Sequence, residues 1–496
     1  MNMQTRNLSN QALQLLERVS NFLSSRGVKF YLVGGWVRDV LLGRPSYDID
    51  LAIKDTAEVL ASEFAREFGG KFVLLDEVNQ VARVVFPKQG VYLDFATFHD
   101  SIEEDLARRD FTVNAIALRY EDFLAARRSG QGAEFRLIDP FEGQQDLQRR
   151  LIRAVRPTIF REDPGRLLRA IRLAAELDFE VEENTRRLIQ QDRELIRLTA
   201  AERIHEELMK LLETPNSARW LYELDHLGLL LLLFPELQEG KGVEQPPEHA
   251  FDVFEHQLQT VTAVERLLRS LKQADGLLED FPLASRFKDY FEERISGHPR
   301  LVLLKLAALL HDVAKPRTKT LENGRIRFLG HAKEGARLAS AMLERLRFSS
   351  RERKLVCQLI THHLRPGQLA NLDEPPTHRA IYRYFRDLGE VAIDTLFLSL
   401  ADHLATRGPQ LDPKGWRKHL SGTQYLVARR LEEESRVLPP KLISGYDLMA
   451  QFGLQPGPQI GKLLELVREA QAEGKVKTKE EALELVRKEL CTEGIK

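Results

Sequence analysis

The chain has 496 residues, several times the ~100–200 of a single domain, so length alone divides it into about three or four folded units. Hydrophobic residues at 43% and charged residues at 30% exclude a mostly disordered chain, and 73 Lys and Arg against 74 Asp and Glu leave a formal charge of −1. A global basic field is therefore excluded, and a polyanionic partner requires a local basic patch. Cys357 and Cys491 stand far apart, which excludes a disulfide framework or a CxxC metal knuckle and fits a reducing cytoplasm. The longest apolar run, Leu227–Phe234, falls well short of the ~20 residues of a membrane helix, and the polar N-terminus has no signal-peptide core.

In chain order, Lys29–Val33 reads as a strand, followed by Gly34-Gly35 and a short helix from Trp36 that stops at Gly43. Tyr47–Ile53 is the next strand, and Asp55 with Glu58 forms a capping box for a helix to about Phe68. Phe72–Leu75, Val81–Phe86 and Val91–Phe98 alternate as strands do, so residues 28–140 read as α+β. From Leu147 the period changes to 3.6 with few strand signals, and proline clusters near Pro215, Pro246-Pro247 and Pro439-Pro440 separate helical units. Arg149–Glu176 holds eight arginines against three acids, a local basic patch hidden in the whole-chain balance.

Two constellations carry chemistry. In the first, Gly34-Gly35-Trp36-Val37-Arg38-Asp39 sets two glycines between a strand and a helix, where backbone N–H groups and the helix dipole can cradle a triphosphate. Asp48-Ile49-Asp50 follows, and a spacing of two on a strand points both carboxylates to one face. Such a pair repels itself unless a cation lies between, which suits Mg²⁺. Asp94, inside another strand, can supply a third carboxylate.

GGWVRDVLLGRPSYDIDLAI (34–53), RRDFTVNAIAL (108–118), EDPGRLLRAIRLAAELDF (162–179) and ERIHEELMKLL (202–212) together resemble the class II tRNA nucleotidyltransferases, the family of CCA-adding enzymes and bacterial poly(A) polymerases within the polymerase-β superfamily. The resemblance covers about residues 28–240. It implies a polymerase-β-like head with a mixed sheet, an all-α neck and body, and addition of C and/or A to tRNA 3′ ends from CTP and ATP. Asp48, Asp50 and Asp94 become the catalytic acids, and Gly34, Gly35, Arg38, Arg108, Arg109, Asp110 and Asn114 the nucleotide site, with Asp110 accepting a ribose 2′-hydroxyl. Asp163 and Arg166, read as three residues apart on one helix, match the pair that selects cytosine or adenine, whose amino donor lies beside a ring-nitrogen acceptor. Arg153, Arg156, Arg169 and Arg172 then hold the tRNA acceptor backbone or the triphosphate. Only thirteen residues, 95–107, separate Asp94 from Arg108, where many full CCA-adding members carry a longer flexible loop. The short segment looks like the subset that adds only the two cytidines, and a poly(A) polymerase is a further alternative.

The second constellation is His256, His311-Asp312, His331, His362-His363 and Asp402, in helical surroundings. Nitrogen and oxygen donors converging from separate helices suit one or two transition metals such as Mn²⁺ or Ni²⁺. The order resembles the HD phosphohydrolases, with His256, His311, Asp312 and Asp402 as the core ligands, His331 and His362 as ligands of a second metal, and Lys315 as a phosphate contact. Residues 442–490 resemble the tail of HD-containing bacterial members, with an amphipathic helix after Pro456-Gly457-Pro458 that contacts tRNA or completes the body. The expected division is a head at 1–146, a neck and body at 147–240, an HD domain at 246–425 and a helical tail at 426–496 in a cytoplasmic monomer or homodimer. A reading of another class makes the HD centre the working site and the N-terminal half a non-catalytic RNA binder.

Overall fold

The computed structural model describes residues 10–54, 57–77, 80–87, 90–129, 136–271, 277–278, 284–370, 375–432 and 439–492. Strands β1 (Phe30–Val33), β2 (Asp48–Lys54), β3 (Lys71–Asp76), β4 (Val81–Phe86), β5 (Val91–Phe98), β6 (Ala117–Arg119) and β7 (Leu137–Ile138) form one sheet in the order β3-β4-β5-β2-β1-β6-β7. Only β2 and β5 run parallel; the other neighbours are antiparallel. This is the expected mixed sheet, and β4 and β5 have the expected bounds.

Alternation decides which face is covered. Ile49, Leu51, Leu93, Phe95, Ala82 and Val84 are buried beneath helix Ala57–Phe68, where Phe64 sits 5.9 Å from the Phe95 ring and 5.3 Å from Phe22 of helix Asn10–Ser24. The intervening residues, Asp48, Asp50, Arg83, Tyr92 and Asp94, share the opposite face. Of the expected Asp55–Glu58 cap, Asp55 lies outside the described residues. The helix expected from Trp36 begins two residues earlier, at Gly34.

The chain forms two compact units, Met1–Leu211 with Glu223–Leu232 and Leu212–Tyr222 with Leu233–Lys496. Both follow the expected helical pattern after residue 147, with short strands that periodicity missed. Leu151–Ile152 pairs with Glu180–Val181, and Lys319–Glu322 forms a hairpin with Arg325–Phe328. Its turn is Asn323-Gly324, at φ 51° and 74°; this dipeptide tolerates the left-handed backbone that a two-residue hairpin requires.

In the second unit, helices Val253–Ser270, Arg300–Leu310, Ser350–His362 and Ala392–Arg407 pack around an apolar centre. Charges inside it are paired: Arg300 donates to Asp394 at 2.9 Å, and Lys305 lies 2.9 Å from Glu265 while donating to the carbonyls of Leu212 and Thr214. The tail has its own apolar core, built from Ile443, Leu448, Leu463, Val467, Ala482 and Val486. Its helix Pro458–Ala472 follows the expected turn, and Glu465 and Glu469 pair with Arg386, Arg379 and Arg383 of helix His378–Leu388.

Candidate active site and metal centre

On the sheet face opposite helix Ala57–Phe68, Gly34 ends the β1 connection with φ +69°. A Cβ there would stand 2.7 Å from Arg109 Nη1 and 2.9 Å from Asp50 Oδ2, so only glycine lets the backbone approach the acid. The Gly35 N–H donates to Asp50 Oδ2 at 3.1 Å. We expect Gly34→Ala to cost ~1–2 kcal/mol of stability, from the positive φ, and to reduce nucleotide incorporation by more than its loss of folded protein. Thermal denaturation beside a labelled-nucleotide assay measures both.

Asp50 and Asp94 are register partners on β2 and β5, with Asp48 two residues before Asp50. Burial pushes the Asp50 carboxyl up to about 6, against Arg109 and with Asp94 and Asp48, and burial also raises Asp48, against Arg83. Two acids, Asp48 and Asp50, held above their ordinary range in one place fit a hard divalent cation. Asp94 accepts two hydrogen bonds from Arg83, both at 2.7 Å. Arg83, its register partner on β4, was not among the expected residues, and a single arginine in an alternating strand offers no signal for that role.

Arg38 donates to Asn114 Oδ1 at 2.7 Å, and Asn114 Nδ2 donates to Asp110 at 3.0 Å. Asp110 also accepts from the Phe111 N–H and from Arg169 Nε, each at 2.7 Å. Its burial favours the neutral acid, but the Arg169 guanidinium and these donors outweigh it and hold the carboxyl well below the usual range. Arg109 donates to Asp105 at 3.1 Å.

The Asp163 and Arg166 pair differs from expectation. Asp163 lies before the helix, with φ −146° and ψ 94°, because the following Pro164 disfavours a helical residue there; Arg166 is the first residue of helix Arg166–Leu177. The two still meet, Arg166 Nε 3.5 Å from Asp163. Arg203, unforeseen in the sequence, donates to both Asp163 oxygens at 2.6 and 2.8 Å. Arg166 Nη2 donates to the Arg108 carbonyl at 3.0 Å, while its buried Nη1 has no hydrogen-bond partner. Arg153, Arg156 and Arg172, expected to face tRNA or triphosphate, are engaged internally with Asp146, Glu162 and Glu207.

In the second unit, His256 comes from helix Val253–Ser270, His311 and Asp312 from the end of Arg300–Leu310, His331 from the start of His331–Arg345, and Asp402 from Ala392–Arg407. His256 Nε2 lies 3.3 Å from Asp312 Oδ2, 3.1 Å from Asp402 and 3.3 Å from His311 Nε2. On the other side of the Asp312 carboxylate, Oδ1 lies 3.4 Å from His331 and 3.8 Å from His363. The neighbour named from sequence, His362, is the last residue of its helix and only half-buried; the chain turns His363 inward, 1% exposed, with its Nε2 3.3 Å from that of His331. Adjacent residues at a helix end point in different directions, and the HH pair alone does not say which faces in.

His311, His331 and His363 each direct Nδ1 at the carbonyl three residues before, at 2.9, 2.6 and 2.7 Å. With Nδ1 placed against a carbonyl, Nε2 is the nitrogen of each ring that faces Asp312, the arrangement of a metal-ligating imidazole. Burial pushes His363 down to about 3, so that ring is neutral. Both Asp312 oxygens are buried without a hydrogen bond of good geometry, and Lys315 Nζ stands 2.6 Å from one of them. Two donor groups, His256, His311 and Asp402 and His311, Asp312 and His363, each bring their ligand atoms within 4.8 Å of one another. The donor set fits divalent transition metals, which these residues would hold.

Residues 30–153 match the family model of the poly A polymerase head domain, 178–240 that of an RNA and SrmB-binding site of polymerase A, 253–407 the HD domain, and 440–486 a second domain of tRNA nucleotidyltransferases. The A-adding tRNA nucleotidyltransferase of Deinococcus radiodurans is 38% identical across 92% of this chain and 94% of its own. The CC-adding enzyme of Thermus thermophilus is 37% identical across 91% of each. The fold is similar to that of a Thermotoga maritima CCA-adding enzyme solved with tRNA, with a TM-score of 0.60 and 23% identity over 98% of this chain and 97% of that one. With acids, glycines and histidines in order along a chain aligned nearly end to end with such relatives, this protein belongs to the class II tRNA nucleotidyltransferase family, in the branch that carries an HD domain.

Proposed function

We propose that the chain adds C and/or A nucleotides to the 3′ end of tRNA from CTP and ATP, without a nucleic-acid template, and that its HD centre is a phosphohydrolase. The observation that carries this reading is the meeting of Asp48, Asp50 and Asp94 with the Gly34-Gly35 turn in one unit, beside Asp110 and the Asp163 and Arg166 pair. Asp48 and Asp50 would hold Mg²⁺, which would supply activation of the primer hydroxyl and neutralisation of the leaving pyrophosphate. The Gly34 and Gly35 backbone receives the triphosphate at the helix start. Asp110 Oδ2, with one donor in Arg169, keeps a lone pair for the ribose 2′-hydroxyl. The unpartnered Arg166 Nη1 donates to a ring-nitrogen acceptor while Asp163 accepts from the exocyclic amine, an order that cytosine and adenine share and uracil and guanine reverse.

A narrower product is favoured by the connection after β5. Three residues, 99–101, lead straight into helix Ile102–Ala107, whose Ser101 cap accepts from the Glu104 N–H at 3.2 Å. A short capped helix leaves little chain to shift when the site passes from cytidine to adenosine, which favours an enzyme that adds the two cytidines alone. Incubation of tRNA lacking its terminal CCA with CTP alone, ATP alone and both, followed by sizing, decides this: two added residues with both nucleotides present support the C-only reading, three a complete enzyme, and a long tail a poly(A) polymerase.

For the HD centre, His256, His311, Asp312 and Asp402 form one ligand set and His331 and His363 complete the other. These residues would hold Mn²⁺ or Ni²⁺, which would supply an activated water for phosphomonoesters or 2′,3′-cyclic phosphates, and Lys315 provides a cation for the phosphate. We place the head at 1–146, the neck and body at 147–240, the HD domain at 246–425 and the tail at 426–496, in a cytoplasmic protein. Among the described residues no helix is long and apolar enough to cross a membrane.

A further inference from the structure

We infer that Tyr92 is a stacking platform for the terminal base of the RNA primer, a role that rests on the transferase reading above. The sheet order separates the two substrates. Gly34 follows β1, on one side of Asp50, whereas Asp94 and Tyr92 lie on β5, on the other. Phosphoryl transfer needs attacking and leaving oxygens roughly in line. With the triphosphate on the β1 side, the primer hydroxyl arrives from the β5 side.

The face it crosses is ordered in two rows. Asp50, Asp94, Arg83 and Val73 are register partners across β2, β5, β4 and β3, and so are Asp48, Tyr92, Val85 and Lys71. The second row runs from a catalytic acid through an exposed aromatic ring and an aliphatic residue to a lysine at the sheet edge. Tyr92 is 37% exposed, although every other large apolar side chain of β5 facing the opposite side is buried. The Arg83 guanidinium lies 5.2 Å from its ring centroid while holding Asp94 in a two-point ion pair, so one arginine fixes both the ring and the third acid.

Adjacent strands are ~4.8 Å apart, which puts Lys71 about 10 Å from Tyr92, within reach of the phosphates that precede a stacked terminal nucleoside. An aromatic ring beside cations recognises single-stranded RNA without reading sequence, because every base has a π-face. That suits a primer whose terminal base changes after each addition. Selection of the incoming nucleotide then stays with Asp163 and Arg166, in a different part of the unit.

The test uses the full chain with tRNA transcripts ending before the CCA and saturating CTP. Tyr92→Ala is expected to raise the KM for RNA by roughly ten- to a hundredfold, from the loss of one base–aromatic stack, while the KM for CTP moves less than twofold, and Tyr92→Phe is expected to restore the value for RNA. A transcript carrying 2-aminopurine at its 3′ terminus is expected to lose fluorescence on binding the unmodified enzyme and Tyr92→Phe, but not Tyr92→Ala. An unchanged KM for RNA in Tyr92→Ala, equal quenching by all three proteins, or a Tyr92→Phe defect as large as that of alanine would overturn the stacking role. Absence of incorporation by the unmodified enzyme from CTP and from ATP alike, on transcripts ending before the CCA and on transcripts ending in CC, would instead overturn the transferase reading, and the fluorescence result would still report on Tyr92.

Discussion

Asp50→Ala is expected to reduce nucleotide incorporation by at least on the order of 10³-fold while leaving hydrolysis at the HD centre intact. The carboxylate occupies the middle of its site: it accepts from the Gly35 N–H, opposes Asp94 in register and lies 2.9 Å from where a Cβ on Gly34 would stand. The HD ligands belong to the other compact unit, so their chemistry provides an internal control for folding. Asp50→Asn keeps the shape and removes the charge. Because burial raises the native carboxyl to about 6, above its ordinary 3.8, the ionised acid destabilises the fold as pH rises through that interval. In metal-free buffer at pH 7, Asp50→Asn is therefore expected to melt at a higher temperature than the unmodified protein, and the difference is expected to vanish below pH 4. Incorporation near the normal rate by either variant would remove Asp50 from the catalytic set, and a lower melting temperature for the asparagine variant at pH 7 would contradict the electrostatic argument.

The second large effect belongs to Asp312. Its two oxygens face different imidazole pairs, His256 and His311 on one side and His331 and His363 on the other. Asp312→Asn is expected to abolish phosphate release from 2′,3′-cyclic and monoester substrates and to lower bound metal by elemental analysis, with CTP incorporation unchanged. Alanine is a poorer probe, since it strands Lys315, 7% exposed, without its carboxylate, at a cost of about 3–5 kcal/mol for a broken buried pair. The two neighbouring histidines give a sharper contrast. His363→Ala is expected to lose metal and hydrolysis and His362→Ala to keep both; the reverse would return the second ligand to His362.

Much of this site was legible because its parts are close in sequence and tied to a regular period. Gly34-Gly35 before a helix and Asp48-Ile49-Asp50 on a strand need only local geometry, and the apolar alternation of Val81–Phe86 and Val91–Phe98 set two strands correctly. What failed to show depends on the third dimension. Arg83 holds an acid eleven residues away on the adjoining strand, and Arg203 holds Asp163 from forty residues further on. Neither has a motif, because an ion pair constrains only where two side chains meet. The arginine-rich stretch shows a related limit: composition counts charges, whereas the structure also pairs Arg153, Arg156 and Arg172 with acids of the chain. Spacing alone places Asp163 on a helix, and Pro164 overrides the spacing. Chain connectivity likewise cannot say which member of His362-His363 turns inward.

The tail has a wider consequence. Between residues 443 and 490 it gathers its own apolar cluster, and it meets helix His378–Leu388 through arginine–glutamate pairs. A segment that arrives with a finished interior and is fastened by charge asks nothing of the helices that carry the histidines. Its folding and the assembly of the metal ligands are therefore separate events, joined where glutamates meet arginines.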